Sequence, residues 1–175
     1  MSVLTLDDAK TYLNITSTSY DLELQTFINA AEAAISKRCG PLSTLTATER
    51  VKGCSEDLLL TKLPALTLTS VTPVNGTALN LPDLYLYAPA GIVEYAVGDG
   101  YFSASRYDVA YSYGRASVPN DLMQALRETV KHLWDTQRGG SRRPGMSDDG
   151  LMGAAYAFTF RILELIEPYL LPGFG

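Results

Sequence analysis

Two stretches of the chain carry apolar residues at three- and four-residue steps, and between them apolar and polar residues alternate. In the first, Leu24, Phe27, Ile28, Ala31, Ala34 and Ile35 form one stripe. Lys37 and Arg38 follow in the last turn, and Cys39-Gly40-Pro41 supplies a glycine stop with a breaker behind it. This spacing predicts a helix over residues 20–38. In the second, Leu122, Leu126, Val130, Leu133 and Trp134 repeat the stripe over 119–138, with Trp134 read as core. Pro119 suits a first helical position, Asn120 and Asp121 fall in the electropositive first turn, and Arg138 with Gly139-Gly140 marks the end. Neither helix can bury its stripe alone, so the two are expected to pack together as a helical core. Upstream, Thr5-Leu6-Asp7-Asp8 has the form of a capping box opening a short helix that ends near Asn14, and Thr18 with Asp21 repeats the logic for the helix at 20–38.

From about Val51 the period changes to two. Leu66, Leu68 and Val71 alternate with threonine and serine, and Asn75-Gly76 interrupts two apolar runs as a tight hairpin would. Leu84 to Tyr87, Ile92 to Tyr95 and Tyr107 to Tyr113 continue as short strands, punctuated by Pro89-Ala90-Gly91 and Gly98-Asp99-Gly100. Four to six strands are expected, largely antiparallel. After the long helix, Gly139 to Gly153 is glycine-rich with arginines followed by aspartates and reads as a flexible loop. Tyr156, Phe158 and Phe160 then alternate like a strand, and Arg161 to Glu167 reads as a short helix closed by Pro168. The fold class is therefore α+β in a single domain: helical at 1–40 and 115–138, with a β-rich insertion at about 46–114. The loop at 139–153 and a C-terminal strand, helix and tail at 154–175 complete it.

Composition narrows the function. With 175 residues, 46% hydrophobic and 19% charged, the chain can fill one core. A formal charge of −5 argues against tight wrapping of nucleic acid, which requires basic surface. Neither a signal pattern nor an apolar run long enough to span a bilayer is present in this sequence, so no membrane is expected and a cytoplasm is the expected setting. Cys39 and Cys54 lack CxxC spacing and read either as a pair or, as a reducing compartment favours, as free thiols.

No constellation for catalysis stands out. The single histidine, His132, has no ligand set around it in the sequence. Asp7-Asp8 is explained by capping, Asp148-Asp149 sits in the flexible loop, and Gly98-Asp99-Gly100 lacks the residues of a phosphate loop. No enzyme activity and no cofactor are expected. The basic cluster Arg138, Arg142 and Arg143 reads either as part of a solvated loop or as a grip on phosphates or on an acidic neighbouring subunit, with Asp148 and Asp149 as counterparts. Tyr111 and Tyr113, on one face of a strand with Tyr107, read either as sheet packing or as interface residues. At the C-terminus, Leu170, Leu171 and Phe174 follow a proline where little chain remains to cover them, which makes the end a docking candidate together with Arg161, Leu165 and Tyr169.

Taken together, LTLDDAKTYLNI, DLELQTFINAAEAAISKRCG, VAYSYGRASVPNDLMQALRETVKHLWDTQRG and FRILELIEPYLLPG resemble, in that order, segments of the head-tail connector (adaptor, or head-completion) proteins of tailed double-stranded DNA bacteriophages. The resemblance implies a structural virion protein of the neck, assembled in the host cytoplasm. It implies a ring, usually dodecameric, that docks on the portal protein on one side and receives a head-closure or tail protein on the other; the uncovered leucines and Phe174 make the C-terminal segment the expected portal-docking part. DNA would pass through the bore without sequence-specific binding, and an acidic balance suits a wall along which phosphates must slide. The competing readings are a head-closure or tail-terminator neck protein and, from a different class, a small ligand-binding module or enzyme whose sheet would carry a pocket.

Overall fold

The computed structural model describes residues 2–98, 100–137 and 158–171. These form two compact units, one from the chain up to Cys39 together with Val118 to Leu170, the other from Gly40 to Ser117 with Leu171. The first is helical and the second β-rich, so the α+β class read from the sequence holds.

In the helical unit, α1 spans Leu6–Leu13, α2 Asp21–Cys39, α3 Asn120–Gln137 and α4 Phe160–Ile166. The capping box at the start is present: the Thr5 hydroxyl accepts from the Asp8 N–H at 3.1 Å and donates to the Asp8 carboxylate at 2.9 Å. α1 ends on Asn14 in the left-handed region, φ 56°. Glu32 of α2 reaches back to the chain before α1, its carboxylate accepting from the N–H groups of Val3 and Leu4 at 2.6 and 3.0 Å. The two long helices pack on each other as expected. Leu24, Phe27, Ile28, Ala31 and Ile35 are buried on α2, and Leu122, Ala125, Leu126, Val130 and Leu133 on α3. Trp134 is half-buried rather than central, its ring edge-on to Tyr20 at 5.5 Å and Phe27 at 6.4 Å. Pro119 sits just before α3, one residue earlier than expected, and its carbonyl accepts from the Met123 N–H.

The β-rich unit holds six strands in two three-stranded antiparallel sheets. The larger has the order β1-β6-β3, from β1 at Leu45–Lys52, β6 at Arg106–Tyr113 and β3 at Ala65–Pro73. The smaller has the order β2-β5-β4, from β2 at Leu58–Leu59, β5 at Ile92–Tyr95 and β4 at Leu84–Tyr87. Inward side chains, among them Val51, Leu58, Val71, Val93, Phe102, Tyr107, Val109 and Tyr111, build one core. The turn at Pro89-Ala90-Gly91 joins β4 to β5 as read. Gly91 is required there, since its φ is +66° and a Cβ would lie 2.5 Å from the Leu63 side chain.

Three expectations are corrected. Asn75-Gly76 does make a tight turn, with Asn75 at φ 72° and the Gly76 N–H bonded to the Pro73 carbonyl, yet it closes no hairpin of two strands. β3 pairs with β6 instead, because that register carries Val71 and Val109 into the core together. Next, the alternation begins at Leu45, ahead of the change of period expected near Val51 though in keeping with a β-rich insertion from about 46: Leu45, Ala47 and Val51 alternate with Thr46, Thr48 and Arg50 along β1. Finally, Phe160 belongs to no strand. It is the first residue of α4, because Thr159 caps that helix through its hydroxyl and so buries Ile162 and Ile166, leaving Phe160 outside.

Candidate docking surfaces

On α4 and the residues after it, most of the C-terminal docking candidates are in view. Arg161 is exposed and pairs with Glu128 of α3 at 2.8 Å. Tyr169 donates its hydroxyl to the Asp121 carboxylate at 3.2 Å, which ties the turn after α4 to the start of α3. Leu165, Tyr169, Leu170 and Leu171 are half-buried, so the two leucines are better covered than the sequence suggested, while Phe174 lies outside the described residues. The open apolar groups of this segment are ones the sequence reading missed: Phe160 at 76% and Leu163 at 37% exposure. Helical spacing would have found them, because with Ile162 and Ile166 turned inward, positions 160 and 163 fall on the outer face.

Of the subunit-interface candidates, Arg138, Arg142, Arg143, Asp148 and Asp149 lie outside the described residues. Tyr111 is buried at 1% exposure within the core of its own unit, which takes its side chain away from any neighbour in this conformation. Tyr113 beside it is half-buried, with Lys62 Nζ 5.6 Å from its ring centroid. What holds Tyr111 is a polar network that periodicity could not show. Its hydroxyl donates to Glu49 Oε1 at 2.6 Å and accepts from the Lys62 N–H at 3.1 Å, while Glu49 also accepts from the Thr61 N–H at 3.0 Å and hydroxyl at 2.9 Å. Burial, then the adjoining Glu49 carboxylate, push the Tyr111 hydroxyl up and keep it a donor. Burial would also raise Glu49, but the hydrogen bonds from Tyr111 and Thr61 outweigh it and hold the carboxyl below its ordinary range.

An open cleft of about 760 Å³ lies beside this network. It runs along β1 from Glu49 to Gly53, and Cys54, Leu59, Thr61 and Tyr101 complete much of its wall. Arg50 is engaged across the sheet by Asp108 in two bonds of 2.7 and 2.9 Å, and Cys54 is an exposed thiol facing the carbonyls of Ser103 and Ala104. Apolar side chains stand open here too, Leu59 at 62% and Tyr101 at 54% exposure. The cleft combines a strand edge with apolar walls, which suits an extended peptide more than a small polar molecule. Among the described residues, no group of three or more histidine, cysteine or acidic side chains is placed to hold a metal ion, and no helix is long and apolar enough to cross a membrane.

Architecture and surfaces alike thus describe an α+β protein with a helical unit, a β-rich unit and open apolar side chains on each. A family model described as "Head completion protein" matches residues 2–149, most of the chain, and the chain belongs to that family. The family is the one whose segments the sequence resembles. The fold is similar to a chain in the neck of an empty GTA particle computed with C6 symmetry, at 20% identity and TM-score 0.62, over 95% of this chain and 89% of that one. It is also similar to a chain in the neck of a native GTA particle computed with C12 symmetry, at 19% identity and TM-score 0.58, over 97% and 93%. No curated protein matches the chain.

Proposed function

We propose that this chain is a structural component of the neck of a tailed phage particle, where copies form a ring that docks on the portal protein, lets DNA pass and receives a head-closure or tail protein. Membership of the head completion family across residues 2–149 is the observation that carries this reading. Likeness to neck chains from particles computed with cyclic symmetry supports the ring, with twelve copies as the expected number. The formal charge of −5 supports a bore that DNA traverses without being held. In this reading the protein is scaffold rather than enzyme, belongs to the virion neck, and is assembled in the host cytoplasm.

The portal-docking face is the C-terminal segment: Arg161, Leu165, Tyr169, Leu170, Leu171 and Phe174, joined by the open Phe160 and Leu163. Burying what remains open of the last two at a partner surface is favourable by about 1 to 2 kcal/mol for Phe160, which is 76% exposed, and by under about 1 kcal/mol for Leu163, at 37%, before the cost of ordering, and a ring repeats the gain. Mixing the chain with purified portal rings and imaging the products tests the reading. A ring seated on the portal is the expected product, and its absence counts against the proposal. Phe160→Ser with Leu163→Ser should leave the melting temperature near that of the parent and abolish portal binding. Binding only after another neck protein has been added would assign the chain to head closure instead.

A further inference from the structure

The two edges of the larger sheet are treated differently. β3 is the guarded edge: its ladder is interrupted by register shifts at Ala65/Thr67 and Leu68/Ser70, it ends on Pro73, and the chain beyond folds back so that the Leu79 N–H bonds the Val71 carbonyl. These are the devices by which proteins keep strand edges from pairing with other chains. β1, the opposite edge, has none of them. It is eight residues long, contains no proline and keeps one register with β6 from end to end.

The direction of its backbone groups follows from one bond. The Gly53 N–H donates to the Ser105 carbonyl directly opposite, so by antiparallel alternation the odd-numbered residues of β1 bond β6, and the N–H and C=O groups of Thr46, Thr48, Arg50 and Lys52 point outward. The Arg106 carbonyl bonding Val74 on the far side of β6 fits the same alternation. Among the described residues, no backbone partner meets the outward groups of β1. Half of this edge, Arg50 and Lys52 included, opens into the cleft walled by Leu59 and Tyr101. The wall is firm, because Thr61 and Tyr111 both clamp Glu49.

We infer that this cleft receives an extended segment of a second copy of the chain, which adds as a strand to the open edge of β1. A row of outward N–H and C=O groups specifies an extended backbone, and the flanking Leu59 and Tyr101 give its alternate side chains an apolar seat. The choice of a second copy rests on the proposed ring. In a closed ring the lateral contact is head-to-tail, so each copy must offer one surface and insert a different one, and an edge open on one side only meets that condition. Three charges lie on β1: Glu49 is turned inward and held by Tyr111 and Thr61, Arg50 is held by Asp108, and Lys52 alone stands as a charged guard on the open edge.

The test uses rings assembled on purified portal. Thr48→Pro removes one outward N–H and no bond to β6, a substitution that edge strands tolerate, and Leu59→Asp alters the apolar wall without touching the backbone. Both should melt like the parent and assemble at least tenfold less ring. Hydrogen exchange over residues 45–52 should slow at least tenfold when the parent enters rings. Cys54 provides a built-in probe, since Cys39 is buried and Cys54 is exposed. A maleimide photo-crosslinker on Cys54 should yield covalent pairs of this chain. If folded Thr48→Pro and Leu59→Asp both assemble as the parent does, or if Cys54 crosslinks to the portal alone, the inference is overturned while the ring stands. Failure of the parent itself to form rings would bring down the proposed function, and the inference with it.

Discussion

Phe27, Ile28, Ala31 and Ile35 are buried within a few turns of one helix, whereas in the β-rich unit Val51 is buried opposite Tyr107 and Leu58 opposite Val93, partners that the chain brings together from far apart. The helical unit closes on aliphatic stripes, and its polar contacts, such as Lys10 to Asp21 at 2.7 Å and Arg161 to Glu128 at 2.8 Å, lie at its margin. The β-rich unit closes on rings, with Phe102 between Tyr95 at 4.8 Å and Tyr107 at 5.3 Å, and carries a partly buried hydrogen-bonded network at Glu49 and Tyr111. A stripe core tolerates imprecise pairing, because each helix satisfies its own backbone. A sheet core does not, because its register decides both burial and hydrogen bonding.

The largest effects should come from the two cores. Phe102→Ala should destabilise the β-rich unit by about 3 to 5 kcal/mol, and Leu126→Ala and Phe27→Ala should cost the helical unit about 2 to 5 kcal/mol. Hydrogen exchange resolved by segment checks this: each variant should lose protection first in its own unit, and a Phe102→Ala protein with β6 as protected as in the parent would break the comparison.

Next comes Glu49→Gln, which removes a charged acceptor of three hydrogen bonds and should cost about 1 to 3 kcal/mol at neutral pH. Its pH dependence sharpens the point. Glu49 is held below its ordinary value of 4.5 in the folded state, so the unfolded chain binds the proton more readily, and the stability it contributes is present above pH 4.5 and lost as pH falls through the folded value. The parent should therefore lose stability on acidification more steeply than Glu49→Gln in thermal melts. Equal slopes would mean that the network contributes nothing.

A smaller loss, about 1 kcal/mol, is expected for Thr5→Ala, which removes the cap of α1. Circular dichroism melts would detect it, and no change would mean that Glu32 alone holds this end. Smallest of all is Arg50→Ala: the pair with Asp108 is solvent-exposed on both sides, so melts in low and high salt should match those of the parent.

Helix ends and stripes were legible because a helix bonds within itself: Thr5 with Asp8, the stop at Cys39-Gly40 and the α3 stripe each need only residues four or fewer apart. β6 was legible from VAYSYG, and the turn at Gly91 from its dipeptides. β1 was missed because its inward position 49 is a glutamate, which breaks the apolar alternation at the place where Tyr111 makes a carboxylate welcome. Phe160 was misread because period two and period 3.6 agree over a few residues, and only the cap at Thr159 separates them.

By itself, the sequence determined the two long helices, the cap at Thr5, the β-rich character of the middle and the family to which the chain belongs, all of which are written in local pattern or in the order of segments. Tertiary structure alone decided that β6 lies between β1 and β3, that Tyr111 faces Glu49 rather than a neighbour, and that Phe160 and the edge of β1 stand open. The reason is physical: a strand's partners are chosen by which pairing buries the most apolar surface and satisfies the most backbone groups, and that choice compares segments the chain holds far apart.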